Sequence, residues 1–154
     1  SKKSTVTTFV SMALRSCVVS AAAELFIGQG IRTSLETNGP DLLTKEAVCL
    51  KASCGAGHLD SIFRGLARID LEKPAPSFEP IRERLEEMED RESLCTIFFS
   101  ADARPEFQQL LEKFRKEKRE FIWFCPVNRI IRPEINAGIR PYTRLIDVEE
   151  GGRL

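Results

Sequence analysis

Apolar residues repeat at helical spacing through residues 7–27, where Phe9, Leu14 and Leu25 lie on one stripe. Small and β-branched residues between them widen the stripe until little of the circumference is polar. A helix that is apolar nearly all round is normally buried. The pattern therefore predicts a long, buried N-terminal helix. A short strand is expected at 31–37, followed by a turn at 38–41, where the sequence is Asn-Gly-Pro-Asp.

The middle of the chain alternates between strand and helix patterns. Residues 46–53 predict a strand, and residues 59–69 predict a helix, because their apolar positions fall on one helical face. Residues 72–80 form a Pro-rich connector that is too short to separate two domains. Residues 81–91 predict an exposed helix with a narrow apolar stripe and many charges.

A strand–helix–strand unit is predicted over residues 94–127. The runs 94–100 and 120–127 are apolar on both faces, which is typical of internal strands, so their aromatic side chains are expected in the core. The helix between them is expected at 103–119, with Asp102 as its N-cap. If the two strands are adjacent in the sheet, they are expected to be parallel, and the crossover that joins them is expected to be right-handed.

The C-terminal region predicts two irregular extended segments around a turn at Asn136-Ala137-Gly138. Pro133 and Pro141 cannot donate backbone hydrogen bonds, so these segments are expected at a sheet edge. The whole pattern predicts an α/β fold, with α+β as the alternative. We expect one layered domain over 1–154, with a mixed sheet of about four to five strands covered by helices. Residues 1–6 and 149–154 are expected to be frayed.

Composition argues against several functional classes. Equal numbers of basic and acidic residues, 23 each, give zero formal net charge, so no global field favours nucleic acid or an anionic membrane. Four of the five cysteines lie in apolar runs, which is typical of buried thiols in a reducing compartment. Arg15 and Glu24 interrupt the apolar N-terminal run and argue against a membrane span. We expect a cytoplasmic or nuclear protein without membrane association.

The stretch Cys54-Gly55-Ala56-Gly57-His58 has three interpretations. A glycine loop between a strand and a helix suits an anion, which would involve Gly55, Gly57 and His58. The glycine pattern is, however, incomplete for a dinucleotide or nucleoside triphosphate site. A thiol enzyme would use Cys54 as nucleophile and His58 as base, but no third group is evident. A simple strand-to-helix turn is the favoured interpretation. No metal and no cofactor is expected, because one histidine and these cysteine spacings suit neither.

Arginines concentrate near the C-terminus, together with one tyrosine. Arginine and tyrosine are enriched at protein interfaces, so we predict a partner-binding surface here. Its residues are Arg129, Arg132, Arg140, Tyr142 and Arg144. Plain solvated charge is the competing interpretation.

A basic cluster over Lys113–Arg119 is interleaved with glutamates, which favours a solvated helix end over a phosphate-binding surface. No paired carboxylates lie in an apolar setting, so acid–base catalysis is not expected. We therefore favour a non-catalytic protein–protein interaction domain, an adaptor or complex subunit, that docks through an edge strand and the Arg-rich C-terminal segment. The alternatives are nucleic-acid or phosphate-ligand binding through Lys113–Arg119 and the C-terminal arginines, and a thiol enzyme using Cys54 and His58. The expected partner is another protein, nucleic acid is less favoured, and a homo-oligomer stays open.

Overall fold

The computed structural model describes residues 5–11, 16–69, 82–85, 95–128, 130 and 132–147. Its strands are β1 (Thr5–Ser11), β2 (Arg32–Pro40), β3 (Ala47–Ser53), β4 (Cys95–Ser100), β5 (Phe121–Val127) and β6 (Thr143–Asp147). Its helices are α1 (Ser16–Gly28), α2 (Ala56–Ala67) and α3 (Pro105–Lys116), with a 3₁₀ turn at Arg140–Tyr142. Residues 82–85 are also helical.

The six strands form one mixed sheet in the order β3-β2-β1-β4-β5-β6. β3 is antiparallel to β2, and every other neighbouring pair is parallel. The expected layered α/β architecture with a mixed sheet is confirmed. The predicted pairing within 94–127 is also confirmed, since β4 and β5 are adjacent and parallel.

The two faces of the sheet carry separate apolar clusters. On one, which we call the α3 face, Phe9, Phe98 and Trp123 pack with the buried side of α3. On the other, the α1/α2 face, strand residues such as Val10 and Phe99 pack with α1 and α2. Alternate residues of β5 point to opposite faces, and Phe121, Trp123, Cys125 and Val127 are the buried set. The prediction that the rings of this strand are core is correct for Trp123, which is fully buried.

The prediction of one long N-terminal helix was wrong. Residues Thr5–Ser11 form the central strand β1, so Thr5 and Val6 are not frayed either. The stretch is rich in β-branched residues, which favour strands, and pairing with both β2 and β4 outweighs its weak helical periodicity. The helix that follows, α1, is not buried all round, because Leu25 is 58% exposed. β1 also raises the number of strands above the expected four to five.

Other boundaries differ in smaller ways. β2 continues to Pro40, and the turn before β3 lies at 42–44 rather than 38–41. Asp102 is not the N-cap of α3, since that position belongs to Arg104, whose backbone amide donates to the Asp102 carboxylate at 3.0 Å. Of the helix predicted at 81–91, residues 82–85 are described and helical, and Leu85, which belongs to the predicted apolar stripe, is fully buried. The connector 72–80 and the tail 149–154 lie outside the described residues.

The predicted C-terminal turn is present within one residue of its expected place, but only the segment that follows it forms a strand. Residues 132–136 are irregular, a turn spans 137–139, and the 3₁₀ turn leads into β6, which runs parallel to β5. β6 is an edge strand of the described sheet, as the prolines indicated. The β5–β6 connection therefore crosses the α3 face as irregular chain, with Ile135 and Ile139 packed into the core.

Close packing of α2 on the sheet predicts a specific cost at Gly65. A Cβ there would lie 3.0 Å from Val48 Cγ1, whereas a Cβ at Gly57 in the same helix would meet nothing within 4 Å. We expect the free energy of unfolding of Gly65→Ala to be about 1–2 kcal/mol lower than that of Gly57→Ala, because overpacking cancels the gain in helix propensity. Urea unfolding of both variants measures the difference. Equal free energies of unfolding would contradict close packing at Gly65.

Candidate interaction site

The stretch Cys54 to His58 forms the turn between β3 and α2. Gly55 has φ 95°, a left-handed conformation that favours glycine, and it precedes the first residue of the helix. Its carbonyl accepts the first helical hydrogen bond, from Leu59 N at 3.0 Å. Gly57 is exposed at the start of the helix. The geometry is that of the favoured interpretation, a strand-to-helix turn.

Cys54 and His58 are each bonded to a different backbone carbonyl. The His58 imidazole Nε2 lies 2.6 Å from Thr33 O, and since a carbonyl only accepts, this nitrogen donates. The Cys54 thiol donates to Ile27 O at 3.7 Å. His58 thus ties the start of α2 to β2, and the described contacts give no thiol–imidazole pair of the kind that a Cys/His nucleophile requires. Anion binding at Gly55, Gly57 and His58 stays a prediction.

The C-terminal arginines bond to their own segment. Arg140 donates to Ile135 O at 3.0 Å, and Arg144 donates to Pro141 O at 2.9 Å and Thr143 O at 3.1 Å. Arg132 pairs with Asp147 at 3.1 Å, where both side chains are exposed. Arg129 lies outside the described residues. Arg140 and Arg144 act first as donors to backbone carbonyls in irregular chain, and a partner-binding role for these arginines stays a prediction.

Tyr142 lies at the boundary between core and surface. Its ring stacks on Phe121 with centroids 4.8 Å apart, and the residue is 38% exposed. One side of the ring is therefore held by the core while the rest is open to solvent. Rings of this kind contribute contact area to an interface at little entropic cost. Tyr142 remains a candidate partner-binding residue.

Gln108 holds the irregular segment against α3. Its amide nitrogen donates to Ala103 O at 2.8 Å and to Glu134 O at 2.9 Å, and its amide oxygen accepts from Asn136 N at 2.8 Å. The side chain is buried, so each of these bonds satisfies a polar group that would otherwise lose its partner. A glutamine in the middle of an amphipathic helix is an ambiguous signal, and the sequence reasoning missed this residue.

The free edge at β6 presents apolar side chains that the sequence reasoning also missed. β6 pairs with β5 in unbroken register from Thr143 to Asp147 and is the last strand of the described sheet. Leu145, in its centre, is 45% exposed, and Ile130 in the loop after β5 is 89% exposed. We call Leu145, Ile130 and the β6 backbone the β6 edge. A large exposed apolar residue on an edge strand is typical of a docking surface.

The opposite edge, at β3, is less regular. Its pairing with β2 is interrupted by two register shifts, and Lys51 is exposed within it. Bulges and edge lysines hinder the addition of another strand. The β6 edge is therefore the more open of the two for continuous strand pairing.

The basic cluster at Lys113–Arg119 is partly used inside the domain. Arg115 bonds to Glu112 at 2.9 Å. The Arg119 side chain is 6% exposed, lies 3.7 Å over the Phe114 ring and donates to Leu85 O at 3.1 Å. The burial of Arg119 removes one cation from any phosphate-binding surface, which weakens the nucleic-acid alternative.

β1 and β4 are adjacent and parallel, so their carboxyl ends lie side by side. From β1 the chain continues to β2 on one side of the sheet, and from β4 it continues to β5 on the other side. Open α/β sheets usually bind ligands at the carboxyl ends of two such strands. The buried carboxylate there, Asp102, is held by the Arg104 guanidinium at 2.8 and 2.9 Å. Hydrogen bonding to Asp102 raises the pKa of Arg104, so this buried carboxylate already has a guanidinium partner within the fold. Over the described ranges, no group of three or more His, Cys, Asp or Glu side chains is placed to hold a metal ion.

We expect Gln108→Leu to lower the free energy of unfolding by about 2–3 kcal/mol, because it leaves buried backbone groups without partners. The neighbouring Gln109 is exposed, so Gln109→Leu is the matched control and should change stability little. Urea unfolding measures both, and amide hydrogen exchange at Asn136 should accelerate only in the first variant. Unchanged exchange at Asn136 would contradict the role of Gln108 in holding this segment against α3.

Burial raises the pKa of the Cys125 thiol from the ordinary 9.0 to about 11, with a smaller contribution from the charge of Asp102. The folded state therefore favours the neutral thiol more than the unfolded state does. This preference contributes fully to the free energy of unfolding below pH 9, and the contribution is lost as the pH rises towards 11. We expect it to reach about 2–3 kcal/mol. Urea unfolding at pH 8 and pH 11 should give a smaller decrease for Cys125→Val than for the parent chain. Cys54→Val, at an exposed thiol, is the control, and identical decreases in all three proteins would refute the assignment.

Comparisons with known proteins give no family. No family model matches the chain, and no curated protein matches it in sequence. Among solved structures, the crystal structure of the SpRpn10 VWA domain is similar over 95% of this chain and 88% of that one, at 9% identity and a TM-score of 0.49. A likeness at this level carries no conclusion about function, and the fold described above rests on the sheet order and helices themselves.

Proposed function

We propose that this chain is a non-catalytic protein–protein interaction domain that binds its partner along the β6 edge. The single observation that carries the proposal is that β6 pairs in regular register with β5 alone in the described sheet, with Leu145, 45% exposed, in its centre. A partner strand placed there would continue the hydrogen-bonding ladder of the sheet. A complex subunit or adaptor in a reducing, intracellular compartment is the setting that we propose for it.

Exposed apolar side chains on β6 and in the loop after β5 support this proposal. Leu145 and Ile130 are exposed at 45% and 89%, well beyond the exposure of the core residues around them. Burying a leucine or isoleucine side chain stabilises a complex by about 1.5–3 kcal/mol. A few such residues commonly carry most of the binding energy of an interface.

The arginines take a different part in this proposal from the one that the sequence predicted. Arg140 and Arg144 hold the backbone that leads into β6, so their contribution to binding is to position the edge. Arg132 and Asp147 form an exposed pair near the end of β6. Exposed pairs contribute little to stability, and at the rim of an interface they affect the association rate more than the affinity.

The alternatives receive less support from the described contacts. Nucleic-acid binding through the basic cluster loses Arg119, whose side chain is buried against Phe114 and Leu85. The thiol-enzyme hypothesis lacks a bond between Cys54 and His58, whose polar atoms are bonded to Ile27 and Thr33. No described helix is long and apolar enough to cross a membrane.

Leu145→Lys should abolish partner capture, because a charged lysine on an edge strand opposes strand addition. Leu43→Lys is the matched control, since Leu43 is 75% exposed but lies in the turn before β3. Affinity capture from native lysate, at two salt concentrations and after nuclease treatment, compares both variants with the parent chain. Proteins retained by the parent and the control but lost with Leu145→Lys are the expected result.

A photo-crosslinking side chain at position 145 identifies the contact directly. The same crosslinker at position 43 should give none of the same products. Equal capture by both lysine variants, with no crosslink specific to position 145, would refute docking at the β6 edge.

A further inference from the structure

Three exposed hydrophobic side chains lie along β6, one at each end of the strand and one in its centre. Tyr142 directly precedes β6 and is 38% exposed, and Leu145 is the third of its five residues. Because β5 and β6 are parallel and Val127 lies opposite Asp147, the loop after β5 begins at the carboxyl end of β6. Ile130, 89% exposed, lies in this loop. The hydrophobic side chains therefore span the length of the strand.

Two contacts hold the loop with Ile130 at this end. Ile130 N accepts no distant partner but donates to Asn128 Oδ1 at 2.9 Å, so the chain turns directly after β5. Two residues later, Arg132 pairs with Asp147, the last residue of β6, at 3.1 Å. The described chain on both sides of Ile130 is thus held at the carboxyl end of β6.

Antiparallel pairing of two copies of β6 matches these positions to one another. With Leu145 opposite Leu145 of a second copy, the start of each strand lies beside the end of the other. Tyr142 of one copy then lies beside the loop that holds Ile130 of the other, and this contact occurs twice. The two-fold symmetry that pairs the strands therefore also pairs the hydrophobic side chains, as a self-complementary interface requires.

The side chains also lie on matching faces. Leu145 is in register with Cys125, whose side chain is buried on the α3 face, and Tyr142 stacks on Phe121 of the same face. A two-fold axis perpendicular to the sheet keeps the α3 faces of both copies on one side. Leu145 of each copy therefore meets its counterpart directly, as opposite residues of paired strands do.

Charge along β6 favours antiparallel over parallel pairing of two copies. In-register parallel pairing would set Arg144 opposite Arg144 and Asp147 opposite Asp147, and like charges directly opposite destabilise a sheet. In the antiparallel register, Arg144 lies opposite Ile146 and Asp147 lies opposite Thr143. The chain has 23 basic and 23 acidic residues, so its zero formal net charge adds no overall repulsion between copies.

We propose that the partner at the β6 edge is a second copy of this chain, which pairs antiparallel about Leu145 and joins the two sheets into one. This inference rests on the proposed function, because it names the partner of the same edge. An edge strand in regular register can extend its ladder with another strand. Each copy covers the edge of the other, so neither is left to pair with further chains.

Sedimentation velocity over a range of protein concentrations tests the proposal. We expect the parent chain to dimerise with a dissociation constant on the order of 10 µM. Leu145→Lys should stay monomeric, because two lysines would face each other across the symmetry axis. Leu25→Lys is the matched control, since Leu25 is 58% exposed on α1, and it should dimerise like the parent. A dimer that persists in Leu145→Lys, or a parent chain that is monomeric well above this concentration, overturns the proposal.

A cysteine at position 145 tests the register without a charged substitution. Directly opposite residues of antiparallel strands have Cβ atoms about 4.5–5.5 Å apart, close to the spacing that a disulfide bridges. In a chain whose exposed Cys49 and Cys54 are replaced by serine, Leu145→Cys should form a disulfide-linked dimer on exchange with oxidised glutathione. Leu25→Cys in the same background should not. Equal cross-linking at positions 25 and 145 would contradict this register.

Failure of this inference and failure of the proposed function give different results. A tagged parent chain should retain an untagged copy, whereas tagged Leu145→Lys should not. If the parent is monomeric while a different protein from the lysate is lost with Leu145→Lys, the edge binds that protein and only the second-copy inference is overturned. If neither a second copy nor a lysate protein is lost with Leu145→Lys, both are overturned.

Discussion

The ring of Phe98 joins the elements on which the α3 face depends. It lies in β4, near the middle of the sheet, and contacts four other rings, from β1, α3 and β5, with centroids 5.5–6.3 Å apart. Three of these contacts, with Phe107, Phe114 and Phe121, are edge-to-face, an arrangement favoured by the ring quadrupoles. The parallel pairing of β1 with β4 places Phe9 directly beside Phe98. The position of α3, and through Gln108 the position of the C-terminal segment, follows from this contact.

Much of the middle of the chain could be predicted from local pattern. The apolar runs that became β4 and β5 were long enough and flanked clearly enough by polar residues to be identified as strands, and α3 showed one apolar face. The N-terminus could not be assigned in the same way. A run such as Thr5–Ser11 is consistent with either a buried helix or a buried strand, and only its neighbours β2 and β4 decide between them.

The sequence predicted which residue types lie at the candidate sites, but not which groups each side chain contacts. The sequence located the arginines, yet whether a guanidinium faces solvent or a carbonyl depends on the path of the backbone. Arg140 and Arg144 lie beside Pro141, in chain with few regular hydrogen bonds, and carbonyls in such chain need donors from side chains. Leu145 and Ile130 were missed for the complementary reason. Exposure of an apolar residue is a tertiary property that the local sequence does not specify, and it is the structure that shows both side chains exposed.

Gln108 recognises only main-chain atoms of the segment that it holds. Its partners are the carbonyls of Ala103 and Glu134 and the amide of Asn136. The side chains of Glu134 and Asn136 are exposed and take no part in these hydrogen bonds, whereas Ile135 between them is buried. Substitutions at positions 134 and 136 therefore leave these hydrogen bonds intact, so the loop keeps its backbone path while its exposed side chains change. New surface chemistry could arise beside β6 without refolding the domain.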